Sequence, residues 1–146
     1  MEWIEALRGS TVGLDTGPLI YYIEENPAFL AKIKPFFEAA ERNEFRLVTS
    51  FVTLIEVLVH PLREGRTELA KEYRSILLQS SALTTIPLDE GIAEEAAGLR
   101  ARHNLRTPDA IQIATAIRSG ASWFFTNDGD FANLSEISVL VLKKLP

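Results

Sequence analysis

The sequence contains no cysteine. That excludes disulfides, zinc–thiolate sites and a cysteine nucleophile. Only two histidines are present, His60 and His103, which leaves little room for a histidine-rich metal site. Neither has surroundings that suggest serine–histidine chemistry. No apolar run approaches the roughly 20 residues that a bilayer-spanning helix needs. The opening residues, MEWIEALRGS, lack the basic region and apolar run of a signal peptide. These absences lead us to expect a cytoplasmic protein with no membrane partner. Positive charge is also scarce, with a net charge of −5. A chain held on nucleic acid by phosphate contacts alone is usually basic. A role on nucleic acid therefore requires a local reversal of sign, which a divalent cation supplies where acids cluster.

The chain has 146 residues, 47% of them hydrophobic, which is enough for one sizeable core. No repeat, low-complexity tract or Ser/Gly/Pro-rich linker divides it. We expect one domain over 1–146, with residues 1–10 as a short N-terminal extension in which Glu2–Arg8 could form a helix. Apolar, β-rich runs occur at Thr11–Leu14, Phe45–Thr49, Leu83–Leu88, Ser122–Thr126 and Ser138–Leu142. Helical stretches alternate with them. One is opened by a Thr16 cap with Pro18 in its first turn and is broken at Asn26-Pro27. A second runs to about Arg42. A third is capped by Ser50 and stops before Pro61. A fourth spans Arg66 to Gln79, and a fifth is capped by Asp89. A last helix has Thr107 as cap, Pro108 at its first position and Gly120 at its end. This alternation predicts an α/β fold, a three-layer α/β/α arrangement with a parallel sheet.

Ligands in such sheets bind beyond the carboxyl ends of the strands. Asp15 falls at the end of the first strand, and Asp128 falls two residues past the fourth. Asp109 opens the helix that feeds the fourth strand, and Glu56 lies one to two turns into the helix after the second. All four should reach one edge of the sheet. Glu56 is the least expected, because FVTLIEVLV is otherwise apolar and an unpaired buried charge is costly. Gathered carboxylates repel and raise one another's pKa. A hard cation with oxygen ligands, Mg²⁺ or Mn²⁺, offsets both costs and supplies hydrolytic chemistry on a phosphate.

The segments LDTGPLIYYIE (Leu14–Glu24), SFVTLIEVLVHPLREG (Ser50–Gly65), LRTPDAIQIATAI (Leu105–Ile117) and FFTNDGDF (Phe124–Phe131) together resemble the PIN-domain family, most closely its VapC-type toxin branch. The order and spacing of the segments agree, and the likeness covers nearly the whole chain. The resemblance implies a five-stranded parallel sheet and a metal-dependent endoribonuclease acting on RNA. It makes Asp15, Glu56, Asp109 and Asp128 the metal-binding and catalytic acids. It places the Thr16 and Thr126 hydroxyls nearby and lets Asn127 orient the loop around Asp128. It also implies a homodimer and an antitoxin partner lying across the first two helices. Of the acids in TNDGD, Asp128 is preferred, and Asp130 is assigned the capping of a short turn or a peripheral metal role. Arg102, His103 and Arg106 are candidates for phosphate contact, with a solvated helix terminus as the plain alternative. His60 is read as a cap or packing residue. The aromatic set Tyr21, Tyr22, Phe29, Phe36 and Phe37 is read mainly as core, any exposed excess pointing to a dimer or antitoxin groove. A haloacid-dehalogenase-type phosphatase would need a second aspartate two residues after Asp15, where this chain has Gly17. A non-catalytic PIN scaffold that binds RNA or a protein would be marked by loss of one or more acids, and all four are present.

Overall fold

The computed structural model describes all residues, Met1–Pro146. Its strands are β1 (Thr11–Leu14), β2 (Arg46–Ser50), β3 (Leu83–Ile86), β4 (Trp123–Thr126) and β5 (Ser138–Val141). They form one parallel sheet in the order β3-β2-β1-β4-β5. The helices are α1 (Glu2–Glu5), α2 (Thr16–Ile23), α3 (Leu30–Glu41), α4 (Phe51–Arg63), α5 (Thr67–Gln79), α6 (Glu90–Arg102) and α7 (Thr107–Arg118). Short 3₁₀ turns follow β4 at Gly129–Phe131 and β5 at Leu142–Lys144.

Alternation along each strand divides the interior into two layers. Val12, Leu14, Leu47 and Phe125 face one way, into the larger cluster. That cluster takes Ile33, Phe36 and Phe37 from α3 and Tyr73 and Leu77 from α5. Phe36 is its hub, 4.3 Å from Phe125 and 5.9 Å from Trp3, centroid to centroid. Trp3, Ile4 and Leu7 are buried there, so the residues before β1 are part of the core. Phe124 faces the other way, toward α6 and α7, where Ala96, Ala110, Ala114 and Ala116 are buried. These small side chains bring α7 close to the sheet. At Gly13 a Cβ would lie 2.4 Å from Ala116 Cβ, so the approach requires glycine.

Several element ends differ from the sequence reading. Asp15, not Thr16, is the N-cap of α2, and its carboxylate accepts from Thr16 N at 2.8 Å. Arg106, not Thr107, is the N-cap residue of α7, which shifts Pro108 one place inward. Helix α4 does not stop before Pro61 but runs through it to Arg63. Proline there forfeits a hydrogen bond to the carbonyl four residues back. The ring nevertheless continues the buried stripe of Thr53, Val57 and Pro61, so packing offsets the loss. His60 is therefore an exposed residue within the last turn, and it neither caps nor packs. Helix α1 ends at Glu5 and β3 at Ile86, both short of expectation.

Candidate active site

Strand β1 lies between β2 and β4, and the chain winds outward from it in both directions. The crevice at this reversal is where open α/β sheets place ligands. Asp15 follows β1 and Asp128 follows β4, so both stand at that crevice. Helices run back against the strands, which brings the start of α7, with Asp109, to the same edge. Glu56, on the second turn of α4, completes the rim. Of the four acids, Asp15 and Asp128 line one pocket at this edge.

Asp15 is the most constrained of them. Thr126 Oγ1 donates to its Oδ2 at 2.7 Å, and Thr16 N holds its Oδ1. Burial pushes its pKa up; the Thr126 and Thr16 hydrogen bonds oppose the rise, and the charges of Asp109 and Glu56 reinforce it. The last two contributions place Asp109 and Glu56 within electrostatic reach of Asp15. Thr126 also accepts from Asp128 N at 3.0 Å, so one hydroxyl ties the first acid to the loop of the fourth.

Behind Glu56 lies a buried polar network. Gln112, 3% exposed, donates from Nε2 to Thr53 Oγ1 at 2.7 Å and to Thr16 Oγ1 at 3.1 Å. Its Oε1 accepts from Ser50 Oγ at 3.0 Å. Thr49 Oγ1 gives its proton to the Leu14 carbonyl, which leaves Thr53 to donate to Thr49 at 2.7 Å. Thr16 is then free to donate to Glu56 Oε1 at 2.5 Å. The network diverges from the Gln112 amide: one branch runs through Thr53 and Thr49 to the Leu14 carbonyl, and the other runs through Thr16 to Glu56, its acceptor. Gln112, Thr53, Ser50 and Thr49 were not anticipated from the sequence. The available signal was a glutamine three residues after Asp109 in the apolar run AIQIATAI.

The rest of the rim is looser. Asp109 Oδ2 accepts from Arg106 Nε at 3.0 Å, with Arg106 78% and Asp109 16% exposed. The Arg106 pKa is raised, first by its hydrogen bond to Asp109 and then by that residue's charge, with smaller contributions from Glu56 and Asp128. Asp128 is exposed and caps the 3₁₀ turn, its Oδ1 accepting from Asp130 N at 2.9 Å. The capping role expected of Asp130 thus belongs to Asp128, because the turn starts two residues earlier. Asn127 Oδ1 accepts from Lys143 N at 2.8 Å and anchors this loop. Arg102 and His103 are turned elsewhere. Both contact Glu136, at 2.8 and 2.9 Å, which engages the groups proposed to meet phosphate. Of the three basic candidates only Arg106 stands at the acids.

The donor set suits a hard divalent cation: four carboxylates backed by hydroxyls and an amide, with no thiol and no imidazole. As the side chains stand, no three acidic or histidine groups enclose a common point. Asp109 is turned to Arg106 and Glu56 to Thr16.

A model of the PIN domain matches residues 12–137. No curated protein matches the chain. Among solved structures, the chain is similar to VapBC2 from Rickettsia felis bound to a DNA fragment from its promoter, at 18% identity and TM-score 0.72, covering 90% of this chain and 98% of that one. A toxin–antitoxin complex from Klebsiella pneumoniae is 25% identical at TM-score 0.69, covering 93% and 100%. Mycobacterium tuberculosis VapC20, a toxin that cleaves the sarcin–ricin loop, is 20% identical at TM-score 0.68, covering 88% and 99%. The match over residues 12–137, on the five-stranded parallel sheet these structures share, establishes that the chain belongs to the PIN-domain family.

Proposed function

We propose that the protein is a Mg²⁺- or Mn²⁺-dependent endoribonuclease, the toxin of a toxin–antitoxin pair. One observation supports this reading: Asp15, Glu56, Asp109 and Asp128, far apart in sequence, belong to one sheet edge, and the half-buried Asp15 carboxylate feels Asp109 and Glu56. Such repulsion destabilises the folded chain unless a cation offsets it. These four residues would hold the ion. When bound, it supplies Lewis-acid polarisation of a phosphate and a water of lowered pKa.

The chain's own groups do the positioning. Thr16 and Thr126 fix the orientation of Glu56 and Asp15, and the Gln112 network fixes Thr16. Asn127 sets the Asp128 loop, and Asp130 stands at its periphery. Arg106 lies where it can release Asp109 and meet the phosphate of an incoming strand.

The partner readings rest on apolar surface and on the neighbours being toxin–antitoxin complexes. Phe36 and Phe37 are core, whereas Tyr21, Tyr22 and Phe29 are half-buried. A cleft between α2, α3 and α5 is lined by Leu19, Tyr22, Ile23, Phe37 and Ile76, and it would take an antitoxin segment. Phe51, Ile55, Val59 and Leu62 expose an apolar stripe along α4, suited to a second copy of the chain. No helix is long and apolar enough to cross a membrane.

The test is cleavage of total RNA with Mn²⁺, with EDTA, and by Asp15→Asn and Asp109→Asn. Activity only in the metal-loaded wild type is expected. Full activity in EDTA or in either variant would refute the mechanism.

A further inference from the structure

The pocket beside the rim has a second wall that this chemistry leaves unused. Asp15 and Asp128 form one side, and Gly17, Tyr21, Asn127 and Lys143 complete it. Lys143 is exposed and takes part in none of the eight ion pairs, although two carboxylates line the same pocket. Its backbone is nonetheless fixed to the Asp128 loop, through Lys143 N donating to Asn127 Oδ1. Its side chain follows that loop: a Cβ built on Gly129 would lie 3.8 Å from Lys143 Cε.

Tyr21 is half-buried, stacked on Phe29 with ring centroids 4.7 Å apart. Gly17 sits one helical turn before it. A Cβ there would come 3.9 Å from the ring and its hydroxyl, so the bare glycine leaves the ring open to the pocket. A chain of net charge −5 whose centre is four acids repels a polyanion. Flanking cations and an aromatic face are what a single strand needs in order to cross such a centre. Arg106 supplies a cation on the α7 side, and the opposite side holds Lys143 and Tyr21.

We propose that Tyr21 and Lys143 form a nucleotide subsite for single-stranded RNA next to the scissile phosphate. The Lys143 ammonium meets the neighbouring phosphate, and the Tyr21 ring stacks on the adjoining base. Because stacking accepts any base, the subsite fixes the path of the strand and leaves its sequence to other contacts. The inference rests on the ribonuclease reading.

The experiment measures anisotropy of a fluorescein-labelled, mixed-sequence 12-nucleotide RNA in Ca²⁺ buffer between 50 and 200 mM NaCl. Lys143→Gln should weaken binding several-fold and lower the log–log salt slope by about 0.7, one single-strand phosphate contact. Tyr21→Leu should weaken it about tenfold, and Tyr21→Phe should stay within twofold of wild type. Lys71→Gln, remote from the rim, should change neither affinity nor slope. Lys143 is exposed, so its arm does not depend on how Tyr21→Leu folds. Equal binding by wild type and Lys143→Gln, or an equal loss in Tyr21→Phe and Tyr21→Leu, overturns the subsite. Mn²⁺-dependent cleavage of total RNA by the wild type, run in parallel, separates the two ideas. Cleavage with an unchanged Lys143→Gln isotherm removes the subsite alone, whereas neither cleavage nor binding removes both.

Discussion

Asp15 and Asp128 stand at the ends of neighbouring strands, yet they are held by different means. Asp15 is half-buried and gripped by a backbone amide and the Thr126 hydroxyl. The network behind its neighbour Glu56 reaches through Thr16, Gln112 and Thr53 into the sheet. Asp128 is exposed, on a loop fixed by a 3₁₀ turn, by its own amide donating to Thr126 and by Lys143 N donating to Asn127. The β1 side is built before any ligand arrives, and the β4 side can adjust. A site that must hold an ion and also admit a long polymer needs both: stiffness where charge is concentrated, and give where the strand passes.

The largest expected effect breaks the stiff half. Asp15→Asn should cost more than about a hundredfold in cleavage, beyond what loss of a supporting group costs. Its stability should not fall. The folded-state pKa of Asp15 is raised, so the stability this group contributes is present below its ordinary value of 3.8 and is lost as pH rises through the folded value. At pH 7 the charge is a burden that asparagine lacks, and a thermal melt should give an equal or higher Tm. Asp128→Asn, in the adjustable half, should cost only about tenfold by the same assay. Equal losses in the two variants would erase the contrast.

Gln112→Leu tests the support rather than the acid. It leaves the Ser50 hydroxyl without its acceptor and removes a donor from Thr16 and Thr53, with an expected loss of about tenfold or more in activity and about 1–3 kcal/mol in stability by urea unfolding. Gly13→Ala acts on packing alone. Its new methyl meets Ala116, and about 1–3 kcal/mol should be lost, with activity per folded molecule retained.

Glu136 gives the smallest effect. Arg102, and after it His103, hold its pKa down at about 2, against burial. A depressed carboxylate contributes stability above its ordinary 4.5, and that stability is lost as pH falls toward 2. Glu136→Gln should therefore cost roughly 1 kcal/mol at pH 7, after allowance for solvent screening, and nothing near pH 2. Melts across that range check it.

Much of this was legible in the sequence for identifiable reasons. Strand ends are marked by the change from apolar runs to Asp15-Thr16 or Asn127-Asp128, and a parallel α/β pattern fixes which edge those ends share. The shared edge of Asp15 and Asp128 could therefore be read from residues alone. Cap positions slipped by one at Asp15, where Asp15 and Thr16 could each accept from the first free amides, and at Arg106, where no side chain caps the helix and the Thr107 hydroxyl accepts from Arg100 instead. The run of α4 through Pro61 was hidden, since only tertiary burial reveals what offsets a missing hydrogen bond. The Gln112 network was hidden for the same reason. Arg102 and His103, candidates for phosphate contact with a solvated helix terminus as the alternative, instead pair with Glu136, a partner more than thirty residues away that local sequence does not reveal.

The central claim is that the rim exists to hold a divalent cation, and calorimetric titration of Mn²⁺ at pH 7 tests it without relying on any RNA. Saturable binding by the wild type that is abolished in Asp15→Asn, with both proteins folded by circular dichroism, is the predicted result. Identical isotherms for the two proteins would contradict it.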